Sequence, residues 1–200
     1  MTLRGAMNRD LRWRIIVLQA IVVIVLAFVA GVAYWAADFT HSYVHDQLAA
    51  QKVSFPAKGT PALDPKEFPD LQQYAGQAVD SGPKAKAYAN GFIGRHLDKV
   101  ANGQTYSEVS AQAQANPGDQ KLAGQVDTLF KGETLRSMLL NAWGWWTVGS
   151  YALYAAVGLT LATVGVALAL LFELVIAPRR ATAQAARGSQ APQGQRVPGL

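Results

Sequence analysis

Residues 15–37 read IIVLQAIVVIVLAFVAGVAYWAA, 23 residues with no charge and one uncharged polar side chain, Gln19. At about 1.5 Å per residue, a helix of that length reaches roughly 34 Å, enough for a hydrocarbon core of about 30 Å. A soluble core has no need of so long an uninterrupted run. Thr147 to Ala177 is a second such stretch, broken only by Glu173 near its far end. The two runs predict an all-α protein, a membrane helical hairpin whose long helices extend into a small extracytoplasmic helical module. A cleaved secretory signal fits the first run poorly. Its apolar region would be about 7–15 residues long and end at a small-x-small site, where this chain has the bulky Tyr34 and Trp35. An uncleaved anchor is the expectation.

Charge outside the two runs sets the expected threading. Residues 1–14 carry Arg4, Arg9, Arg12 and Arg14 against Asp10, and the stretch after the second run carries Arg179, Arg180, Arg187 and Arg196 with no acid. The segment between them, 38–146, is nearly balanced, with ten basic and eleven acidic residues. Basic flanks stay cytoplasmic. The predicted organisation is therefore a cytoplasmic N-terminus (1–14), a first span (15–37), an extracytoplasmic module (38–146), a second span (147–177) and a cytoplasmic tail (178–200). The tail is rich in Ala, Gln, Gly, Arg and Pro with almost no large apolar residue, a composition that predicts disorder. The net charge of +5 thus reflects threading and attraction to anionic headgroups in a plasma membrane. No basic-aromatic platform for nucleic acid accompanies it. The chain has no cysteine, which excludes disulfides, thiolate metal sites and cysteine nucleophiles.

Within the module, the first helix is expected to run on past the membrane to about Lys52 and to break in SFPAKGTPALDP (54–65). Asp70 to Asp80 reads as a short helix entered through Pro69. Lys84 to Val100 has an amphipathic pattern, with Ala85, Tyr88, Ala89, Phe92, Ile93, His96 and Val100 on one face and Asn102-Gly103 as the stop. Thr105-Tyr106-Ser107-Glu108 is a capping box. From Asp119 a long helix runs into the second span. Inside the bilayer, Ala27 and Gly31 on one span and Gly158, Ala162, Gly165 and Ala169 on the other offer small-residue packing. Trp35, Tyr34, Trp143, Trp145 and Trp146 suit the outer interface.

Few residues carry chemistry. His41 and His45 stand one helical turn apart with Asp38 and Asp46 beside them. If the face bearing His96 docks on the first stem, two histidines and an aspartate make a set suited to non-haem iron, or to zinc. The plainer reading is that these imidazoles bond to water, headgroups or neighbouring carboxylates. Glu173 lies level with Arg12 and Arg14 and fits an interfacial ion pair with either. Glu133, Arg136 and Asp127 fit a polar cluster with His41 or Lys52 of the other stem. There is no phosphate loop, no Ser–His–Asp arrangement and no HExxH.

VHDQLAAQKVSFP (44–56), LQQYAGQAVDSGPKAKAYANGFIGRHL (71–97), GQTYSEVS (103–110) and DTLFKGETLRSMLLNAWGW (127–145) together resemble a family of uncharacterised two-span membrane proteins from actinobacteria. The resemblance covers about residues 12–177 and implies a plasma-membrane location. Some members carry the label aromatic ring-opening dioxygenase. Enzymes of that kind share a soluble fold with a deep ferrous site, and no motif here matches it. Two functional expectations follow. The first is a non-catalytic structural, scaffold or accessory subunit with no cofactor, whose partners are the bilayer and another membrane protein or a second copy. The alternative is an iron-dependent oxidoreductase or dioxygenase using His41, His45 and His96.

Overall fold

The apolar runs and their polar extensions form single unbroken helices. In a computed structural model that describes residues 3–176, with side chains for 10–175, α1 spans Leu3–Ala50. After two short 3₁₀ turns, Pro61–Leu63 and Pro69–Tyr74, come α2 (Gly82–Lys86), α3 (Arg95–Ala101), α4 (Tyr106–Ala115) and α5 (Gln120–Leu171). A π-helical segment, Ala87–Gly94, joins α2 to α3 without a break, and another, Phe172–Ile176, closes α5. The fold is all-α. Among the described residues the β-structure is one isolated antiparallel bridge, Ser54 to Ala78. The tail predicted to be disordered, 178–200, lies outside the described residues. The chain divides into two compact units, Met1–Ala33 with Tyr154–Leu200, and Tyr34–Leu153.

In the first unit both helices are long and apolar enough to cross a membrane. The helix core of a soluble protein would be mostly buried, whereas 6% of the most apolar window of each is. Phe28, Ile24 and Leu161 stand about two-thirds exposed. The less exposed positions on the first helix, Ile16, Gln19, Val23, Leu26, Ala30 and Ala33, alternate steps of three and four. That is the heptad spacing of a left-handed helix pair. Ala30 and Ala156 are its buried members. The small residues expected at this contact sit beside the seam. A Cβ added at Gly31, Gly158 or Gly165 would meet nothing within 4 Å. Their own three-four spacing was regular, but it belongs to a neighbouring face of each helix.

The second unit is built around Val44 and Leu48 of α1, Leu139 of α5, and Phe55, Leu63 and Leu71 of the connecting segment, all buried. A smaller cluster joins Leu97 and Ala101 of α3 to Val109 of α4 and Leu129 of α5. Several local signals hold. Asn102 adopts the left-handed conformation that ends α3, the Thr105–Glu108 capping box forms, and the Asp119 carboxylate accepts from the amides of Lys121 and Leu122 at the start of α5.

The helix expected over 70–80 stops at Tyr74, because Gly76 turns the chain at φ +72°. The next residues run extended, with Phe55 N–H donating to Gln77 O and Val79 N–H to Val53 O, both at 2.9 Å.

The second departure affects the site. A π-helix carries more residues per turn than the 3.6 of an α-helix. Through Ala87–Gly94 the inward stripe advances in steps of four: Ala85, Ala89, Ile93, Leu97, Ala101. Leu97 therefore faces the core and His96 is exposed. The expectation of His96 on the apolar face assumed an uninterrupted α-helical pitch.

Candidate functional site

Between the α1 and α5 stems of the second unit lies an open groove of about 830 Å³. Phe39, Tyr43 and Gln47 line it from α1, four residues apart along one face, and Gln51 from the turn that follows. Leu135, Met138 and Trp145 line it from α5, and the π-helical segment adds Tyr88 and Ile93. Val44, Leu48 and Leu139 form its floor and are the same side chains that build the core. No charged residue lines it. Its polar atoms are hydroxyls and amides, including those of Thr40, Gln47, Gln51 and Asn141. Burial raises the Tyr88 phenol above its usual pKa, so this hydroxyl stays neutral.

The groove walls are exposed apolar surface. Met138 is 63% exposed, Trp145 59%, Tyr43 57% and Phe39 56%. Trp35, Phe39 and Tyr43 stack in sequence along α1, with ring centroids 5.5 and 6.0 Å apart. Phe39 follows the end of the predicted first span by two positions, and Trp145 precedes the start of the second by two. Sequence reasoning missed this groove. The available signal was that large apolar residues continue past both predicted spans at positions off the packing seam.

The histidines are held apart by other bonds. His41 Nε2 lies 3.0 Å from the Trp146 carbonyl and 3.2 Å from Ser150 Oγ, and its ring stacks on the Trp146 indole at 4.2 Å. A carbonyl only accepts, so Nε2 carries the proton. His45 Nδ1 in turn donates to Asp80 O at 2.9 Å. Asp80 pairs with Lys84 at 2.9 Å, which holds its carboxyl below the usual range. Asp38 and Asp46 are exposed on α1, and His96 is exposed on α3. Among the described residues no three His, Asp or Glu side chains gather as a metal would need. The set His41, His45, His96 with Asp38 or Asp46 is not brought together, because the π-helical segment turns His96 outward.

Some of the remaining charged groups bind elements to one another, and others pair within one helix. Arg12 Nη2 donates to the Glu173 carbonyl, and its Nε stands 3.7 Å from the Glu173 carboxylate. Arg14 is exposed. Arg136 grips Glu133 with two bonds of 2.8 and 3.0 Å and reaches Asn90 of the π-helical segment at 3.3 Å. Asp127 pairs with Lys131 on its own helix. The cluster expected with His41 or Lys52 does not form, since Arg136 faces the π-helical segment instead of α1. Arg95 clasps Asp70 bidentately at 2.8 and 2.9 Å, tying α3 to the 3₁₀ turn, and this depresses the Asp70 pKa. Lys99 pairs with Glu67 beside it.

Comparison with protein-family models, with curated proteins and with solved structures gives no match for this chain.

Proposed function

We propose that the chain is a two-span plasma-membrane protein with both termini in the cytoplasm. Its module stands outside the cell and acts without catalysis, as an accessory or scaffold subunit, through the groove between the stems. One observation carries the reading. No charged side chain and no histidine lines the large open concavity, while His41, His45 and Arg95 are held in bonds that join elements of the module. General acid–base or metal chemistry needs titratable groups in the cleft, and this cleft is lined by none but tyrosines. The orientation is supported by the arginines that flank both apolar runs. The actinobacterial two-span family is part of the same reading, supported by the motifs at 44–56, 71–97, 103–110 and 127–145. The bilayer is one partner, and another membrane protein or a second copy is the other; nucleic acid has no place in this scheme.

A cysteine-free chain makes the test direct. Single cysteines replace Lys58, in the exposed loop after α1, and Ser189 in the tail. A membrane-impermeant maleimide applied to intact cells should label the first, and the second only after permeabilisation. The reverse pattern overturns the threading. A photoreactive amino acid at Met138 should give a discrete adduct in the cell's own membranes. No adduct from an outward module overturns the role assigned to the groove.

A further inference from the structure

We draw no further inference here: the strongest candidate, the polar notch between the 3₁₀ turn Pro69–Tyr74 and the π-helical segment, carries none, because Asp70 already neutralises its Arg95, Lys86 lies over the Trp143 ring, and nothing in the structure points to a ligand.

Discussion

Replacing Gly82 by alanine should destabilise the module, by an amount the structure bounds. A Cβ built there falls 2.3 Å from Trp146 Cβ and 2.4 Å from its Cγ. Carbon atoms rest at about 3.5–4.0 Å, so α2 and α5 must separate by more than an ångström. No rotamer of Trp146 relieves this, because its own Cβ is one of the clashing atoms. The tryptophan is also held, by His41 stacked on its ring and by His41 and Ser150 both bonding its carbonyl. Overpacking of this kind costs about 1–3 kcal/mol. For a chain of this length each kcal/mol moves the unfolding midpoint by about 2–4 °C, so the expected fall is roughly 2–12 °C. Thermal unfolding of the purified protein in mild detergent, followed by circular dichroism and tryptophan fluorescence, measures it. Gly124→Ala is the control of opposite sign. Its Cβ meets nothing within 4 Å, and removing a helix-interior glycine contributes about 0.5–1 kcal/mol of stability. A Gly82→Ala protein as stable as the parent would refute the close approach of α2 to Trp146 and the path by which α2 seats the π-helical segment.

Asp70 offers a pH-dependent test. Arg95 lowers its folded-state pKa, so the contribution is present above the unfolded value of about 3.9 and is lost as pH falls through the lower folded value. Wild type should therefore exceed Asp70→Asn in denaturant midpoint near neutral pH, by no more than about 1 kcal/mol for so exposed a pair. The gap should narrow as pH falls through that lower folded-state value, and a gap unaffected by acid would rule out the ion pair. Arg12→Gln should lower the unfolding midpoint in detergent and Glu173→Gln should add little to it, while Arg14→Gln should leave the midpoint unchanged; equal effects of the two arginines would contradict the pairing. Metal analysis of protein purified in detergent should find no stoichiometric iron or zinc. One equivalent of iron lost on His41→Ala would restore the oxidoreductase reading.

What the sequence revealed and what it hid divide along one physical line, the distance over which each signal is written. The two long helices were legible because apolarity over 23 residues is a property of each run by itself. Helix ends were legible where the chemistry is local, as at Thr105–Glu108 and Asn102. The stop at Gly76 was local too, but a glycine six residues past the start of a helical pattern reads as tolerable until its φ is known. The packing face of each long helix was not legible. Gly31, Gly158 and Gly165 repeat as regularly as the true seam through Ala30 and Ala156, and only the partner helix distinguishes the two faces.

His96 is the most instructive case, because two stripes were present at once. Tyr88, Phe92, His96 and Ala85, Ala89, Ile93, Leu97, Ala101 both advance in steps of four and lie one residue apart along the chain. At a regular α-helical pitch a stripe of fours drifts around the helix, whereas the wider π-helical turn keeps the second of the two facing the core. A hint of which would win sat between them. Gly91 leaves room for Leu71, whose Cδ2 would stand 2.8 Å from an added Cβ, and the backbone of the π-helical segment closes down on that space. The wider turn carries Leu97 to the core, sends His96 to water and brings Tyr88 and Ile93 to the groove. One local change of pitch therefore takes a ligand from the only metal set the sequence offered and, in the same turn, supplies part of an uncharged wall. An α-helical pitch restored by deleting one residue of Ala87–Gly94 should undo both together.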